Sequence, residues 1–316
     1  MASSAVAESL IGLPETHADS AVGNELLWKY GGDMRFFLVV GQVAILQMMH
    51  PAFTAVVAGN SQFFDDVWRR WFERTQPMLQ RAVFDDQPDE VAHTIRDIHT
   101  NLKGVDDKGR HWHALNPHVF HYAHATQYYS IWRFIQLYDG RTLTDAENEA
   151  YYQATRRVWA QFGMRMDVAP PDWPSFLEYY DRFIEEHLEA TSGAFQMLEF
   201  LASAPEPPIH FLPKAMWHTT MRPAFEVYVR ISVGVLPPRA RDMLGLTWTA
   251  EDERWLRRIG RGVARAARMT PEGIWITPEA RAARYGRSHA LRDRFQYLAG
   301  ESVQRPIQMA WRLATR

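Results

Sequence analysis

Residues 88–104 read PDEVAHTIRDIHTNLKG, and this stretch decides the fold class. Pro88 suits a first helical turn, where its missing N–H costs nothing. Asp89 and Glu90 follow at the end where a helix dipole favours negative charge, and Gly104 can close the element. Val91, Ile95, Ile98 and Leu102 recur at steps of three and four, so a helix would bring them to one face. His99 lies four residues after Ile95 and three before Leu102, so the same spacing points its imidazole into that face.

The pattern repeats in both directions along the chain, and strand signals are scarce. Residues 33–57 predict one long apolar helix bent at Pro51, and 61–84 a second, opened by Ser61 with Asp65 and Asp66 behind it. Residues 106–109 form a turn. Asn116 with Pro117 opens a helix that runs to Tyr138 and stops at Gly140. Thr144 and Glu147 make a capping box for the next, which ends near Phe162 and Gly163. Further helices are expected over 174–191, 194–203, 214–235 and 249–268, with connectors at 205–213 and 237–238. The expected class is all-α, a single helical domain with no internal repeat. Within it, 1–26 reads as an N-terminal extension, 27–255 as the body, and 256–316 as an arginine-rich extension packed on the same domain.

Composition narrows the chemistry. The chain has 316 residues, 47% hydrophobic and 23% charged, which suits a folded globule. It has no cysteine, which excludes disulfides, thiolate haem ligation, cysteine-ligated iron–sulfur clusters and cysteine nucleophiles. Neither a Gly-x-Ser-x-Gly elbow nor a phosphate-binding glycine loop is present. The first twenty residues lack a basic start, and the longest apolar run, 36–49, is too short to span a bilayer and reads as a core helix. A cytoplasmic protein is expected. The net charge of −2 hides an asymmetry. Residues 254–316 hold fourteen arginines against four acids, a formal +10, and the remainder carries −12. A solvated face is the plain reading of that basic end. Anionic lipid is the alternative, and nucleic acid a weaker one, because no recognition fold accompanies the charge.

Seven of the thirteen histidines lie between 93 and 124. Without cysteine, histidine is the natural ligand for haem or another metal. On spacing alone His99 reads first as a core histidine bonded to a carbonyl, and second as an axial ligand. His50, just before Pro51, reads equally as a residue binding a carbonyl freed at the bend and as part of a cofactor pocket wall. His121 and His124 stand three apart on one helix and could share a metal. With Glu90 and His93 they make the candidate set for a non-haem metal enzyme.

Several short motifs occur in a fixed order. They are Tyr30-Gly-Gly-Asp33-x-Arg35, Gln47-x-x-His50-Pro51, Arg74-Thr75, Ile95-x-x-Ile98-His99 and Gly104-Val-Asp-Asp-x-Gly109-Arg. Asn116-Pro117, Tyr122-Ala-His124-Ala-Thr126, Leu236-Pro-Pro-Arg-x-Arg and Leu244-Gly-Leu-x-Trp248-Thr follow. In this order the chain resembles the latex-clearing (rubber oxygenase) family, which includes a fungal mycophenolate-pathway oxygenase, over roughly residues 27–255. The resemblance implies a haem b oxygenase on a globin-like helical core, using dioxygen on a small apolar substrate, isoprenoid or polyene. It implies His99 as the iron ligand and Arg74 and Thr75 as catalytic groups on the distal side. His50, Arg70 and His124 are the further candidates for cofactor binding. Rubber-cleaving members carry an arginine four residues before the threonine; here Trp71 holds that position and Arg70 is the nearest arginine. A non-catalytic haem or ligand carrier and the non-haem metal enzyme are the competing readings.

Overall fold

Asn116 begins a helix capped at both ends: its side chain accepts the His118 N–H, Pro117 follows, and Gly140 (φ 65°) ends the run in the left-handed conformation. Between them lie α-helix Pro117–Phe134 and one wide π turn, Ile135–Asp139. The computed structural model describes residues 17–59, 74–203 and 214–285. In chain order the helices are α1 (His17–Gly31), α2 (Phe37–Met48), α3 (Pro51–Ala58), α4 (Gln76–Phe84), α5 (Pro88–Asp97), α6 (Pro117–Phe134), α7 (Asp145–Gln161), α8 (Trp173–His187), α9 (Ser192–Ala202), α10 (Lys214–Val235), α11 (Pro238–Met243), α12 (Ala250–Arg268) and α13 (Pro278–Tyr285). The fold is all-α, as the periodicity predicts. The capping box at Thr144 forms, and so does a second at Thr249 with Asp252. The positions 26 and 255 fall inside α1 and α12, and both helices pack on the body of the domain.

The apolar run expected as a core helix is buried: Val39, Val43, Ile45 and Leu46 are shielded from solvent. Around this α2 pack α6, α9 and α10. Gly41 allows the approach of α10, because a Cβ there would sit 2.1 Å from Ser232 Oγ. Among the described residues no single helix is long and apolar enough to cross a membrane. α2 with its preceding 3-10 turn and α3 do so only jointly, across a 92° bend.

Two expectations change, and one falls largely outside the described residues. The helix expected over 33–57 is broken at His50, because the side chain of His50 caps a new helix by accepting the Ala52 N–H through Nδ1 at 3.1 Å. The carbonyls freed at the break go elsewhere: Met48 O accepts from Thr54 and Thr191, and Met49 O from Glu189 N. Of the helix expected over 61–84, the described residues 74–84 are helical throughout, a π turn at 74–75 leading into α4; residues 60–73 are outside the described residues, as are the connector 205–213 and the candidate Arg70. The second change matters most for function. α5 ends at Asp97 and not at Gly104, and a small antiparallel hairpin follows, β1 (Lys103–Val105) and β2 (His111–His113). The expected turn joins them, with Gly109 at φ 77°. Only half of the predicted stripe is therefore buried. Val91 and Ile95 are in the core, while Ile98 and Leu102 are 57% and 38% exposed. The loop chemistry after residue 97 overrides a period that the side chains alone would continue.

The Tyr30–Arg35 motif forms a buried polar knot. Arg35 Nη2 and Asp33 Oδ2 lie 2.6 Å apart with both side chains shielded, Arg35 Nη1 donates to Tyr138 O, and Tyr30 donates its hydroxyl to Asp139 at 2.6 Å. This ties α1 to the π turn. α12 closes on the same turn through Gly260, where a Cβ would meet Leu137 O at 2.2 Å.

Candidate active site

His99 sits in the turn after α5, half-buried, and not on the helix face. Its Nδ1 lies 2.6 Å from Ile95 O. A carbonyl can only accept, so Nδ1 carries a proton, and in the neutral form of the ring the free lone pair is on Nε2. Among the described residues no hydrogen bond engages Nε2. The turn is clamped from the far side by the hairpin. Ala114 N donates to Leu102 O at 2.8 Å, and His113 Nε2 donates to Thr100 O at 3.0 Å. Asn116 N then bonds His113 O, and one turn into α6 Phe120 meets the His99 ring edge to face, centroids 5.6 Å apart. The hairpin that the sequence did not announce thus sets both the histidine and its neighbour.

Phe120 continues into a buried aromatic group. It contacts Trp159 and Phe162, and these contact His124. His124 donates Nε2 to Thr155 O at 3.0 Å and stacks on His121, whose Nδ1 lies 3.1 Å from the Tyr179 hydroxyl. Burial pushes the His124 imidazole down to about 3, against a weaker opposing effect of the Thr155 bond. Burial holds His121 well below its ordinary value too, with the neighbouring His124 next in importance. Both rings are neutral near pH 7, and His124 has a structural partner for the nitrogen that faces α7.

The four residues of the non-haem set do not come together. Glu90 and His93 are exposed on α5, while His121 is shielded within α6. Among the described residues no three histidine, aspartate or glutamate side chains are placed to share one ion. That alternative is corrected: spacing along one helix brought His121 and His124 together, but nothing folds α5's pair against them.

Arg74 and Thr75 open α4 and are both exposed. α4 and α5 pack as a hairpin across the three residues 85–87, so the start of α4 and the end of α5 lie at the same end of the pair. The chain leaves that end of α5 through the exposed Ile98 to His99. His50 lies elsewhere, on the α2–α3 break, between the rings of Phe183, Tyr122 and Phe53. Burial lowers it to about 4, helped by the positive charges of His187 and Arg110 and opposed by Glu189. It is a helix cap in an aromatic box.

The other motifs converge on the same core. Gln47 donates to Thr126 Oγ1 at 3.0 Å, Tyr122 donates to Leu46 O at 2.9 Å, and Arg110 and Lys108 both pair with Glu189. Arg241 donates to the carbonyls of Gly234 and Leu236 and so closes the end of α10. Phe120 and Tyr179 are the contributors that sequence reasoning missed. Each reaches its histidine across a separation in the chain that leaves no local signal.

Neither the curated proteins nor the solved structures include a match to this chain. A family model described as "ER-bound oxygenase mpaB/B'/Rubber oxygenase, catalytic domain" matches residues 28–266. That span runs from inside α1 to the last turns of α12 and contains the knot, the His99 turn and the aromatic group. The chain therefore belongs to the mpaB/rubber oxygenase catalytic-domain family.

Proposed function

We propose that this oxygenase-family chain uses haem b and dioxygen to oxidise a small apolar substrate of the isoprenoid or polyene class, with His99 as the axial ligand. The observation that carries the reading is the state of one ring. His99 has Nδ1 committed to Ile95 O, which fixes the tautomer and orients Nε2, the arrangement that supports a metal-ligating imidazole. Ile98 and Leu102, exposed on either side of it, offer apolar surface that a flat macrocycle would cover.

Bound haem would supply the iron that activates dioxygen. The chain's own part is positioning. Ile95 O and Phe120 hold the imidazole in one orientation. The guanidinium of Arg74 and the hydroxyl of Thr75, at the same end of the α4–α5 hairpin, are hydrogen-bond donors for an oxygen species or a polar end of the substrate. The neutral His121–His124 pair and the surrounding Trp159 and Phe162 keep the region behind Phe120 free of charge.

The test is the absorption spectrum of the purified full chain, before and after haem is supplied. The reading expects a strong near-UV haem band that His99→Ala abolishes while the far-UV helix signal is kept. A protein that stays colourless after haem addition, or a band that survives His99→Ala unchanged, overturns it.

A further inference from the structure

α12 carries its core contacts on one face: Leu256, Gly260 and Ala264 are buried. The face beside it, about 110° round the helix, is arginine. Arg254, Arg257, Arg258, Arg261, Arg265 and Arg268 are all exposed. At 3.6 residues per turn they fall within an arc of about 100° and extend over about 21 Å. Among the described residues only Arg257 of these six meets a carboxylate, Glu253 at 3.2 Å. Asp252 in the first turn is engaged elsewhere, with Thr249 and Arg230.

A second feature separates this face from an ordinary solvated one. Met269, directly after the last arginine, is 81% exposed and lines one shallow cleft with Arg261, Arg265 and Arg268. Ile274, on the 3-10 turn Glu272–Ile274, is also exposed. Water has no use for a methionine in a row of cations or for an exposed isoleucine five residues further on. A phospholipid surface has: guanidinium forks match the phosphates, and apolar side chains enter below the headgroups. The chain's own residues 286–316 are a poor cover for the stripe, since they bring six more arginines against two acids. Duplex nucleic acid would engage the arginines and leave Met269 and Ile274 idle.

We propose that this face of α12 docks the protein on an anionic phospholipid leaflet, with the arginines on the headgroups and Met269 and Ile274 inserted at their edge. Docking needs no haem, so it stands or falls separately from the cofactor reading. Such a leaflet is also where an apolar substrate dissolves.

The full chain is sedimented with phosphatidylcholine vesicles, and with vesicles containing about one-third phosphatidylserine, at low ionic strength and at about 1 M salt, where the screening length falls to about 3 Å. The expected result is binding to the anionic vesicles alone, released by salt. Arg261→Gln with Arg265→Gln lowers the partition roughly 30-fold, the equivalent of about 1 kcal/mol for each charge at a membrane surface. Met269→Asp weakens vesicle binding further. All three positions are exposed, so the thermal midpoint stays put and confirms folded protein. Equal binding to neutral and anionic vesicles, no binding to either, or wild-type partition in the arginine pair or in Met269→Asp overturns the proposal. So does a short DNA duplex bound through these arginines more tightly than the vesicles, which would make the face a nucleic-acid surface.

Discussion

His99 and Phe120 meet edge to face at 5.6 Å, although one ends the α5 turn and the other lies one turn inside α6. The hairpin between them brings the two rings together, and Ile95 O fixes the remaining freedom of the imidazole. Phe120→Ala removes the edge. It is expected to lower haem affinity about tenfold, the size typical of lost supporting contacts around a metal ligand, and to leave the band weaker or split. A haem titration of the variant checks this, and a wild-type affinity would show that Phe120 does not position the ring.

The Arg35–Asp33 pair is shielded on both sides and anchors α1 to the π turn. Arg35→Met leaves the Asp33 carboxylate buried without its partner. The expected loss is about 3–5 kcal/mol in urea unfolding. Adding Asp33→Asn recovers part of it, because an asparagine oxygen can still accept the backbone N–H at position 35, as Asp33 Oδ1 does at 2.8 Å.

His50 gives the protein a pH dependence on the acid side of neutrality. Its folded value is about 4 and its ordinary value 6.5, with burial as the main cause. The unfolded chain therefore binds the proton more readily. The stabilising effect is fully present above about pH 6.5 and is lost as the pH falls toward 4, up to roughly 3 kcal/mol in total. His124, at about 3, extends the same trend to lower pH. Thermal melts from pH 7 to pH 4 should show a falling midpoint. His50→Asn keeps a good helix cap and removes the His50 part of the slope; an unchanged slope in that variant would assign the dependence to other groups.

Gly260 is where α12 touches the π turn, with Leu137 O only 2.2 Å from any added Cβ. Gly260→Ala must push the helix off its seat. A destabilisation of about 1–3 kcal/mol is expected, in spite of the better helix propensity of alanine. An increase in the thermal midpoint would mean that α12 shifts freely at this point.

The fold was legible wherever a local rule decides it. Asn116 with Pro117 and Gly140, the capping box at Thr144, and the glycines 109 and 163 at a turn and a helix end stand where their side chains or their lack of one require. The core role of the 36–49 run followed from its composition. Of the site, the sequence carried the family, through the order of its motifs and not through the helical period.

The sequence by itself determined that the chain is helical, where most helices begin, and that its surface is divided into a basic end and an acidic remainder. Each of these depends on residues within one or two turns of one another, or on simple sums of charge. Tertiary structure alone decided that His50 is a cap inside an aromatic box, that Arg35 meets Tyr138 and Asp139, and that Phe120 faces His99. Those pairings join residues far apart in the chain. Close packing and the need to satisfy every buried polar group select them, and neither constraint acts until the helices are in place.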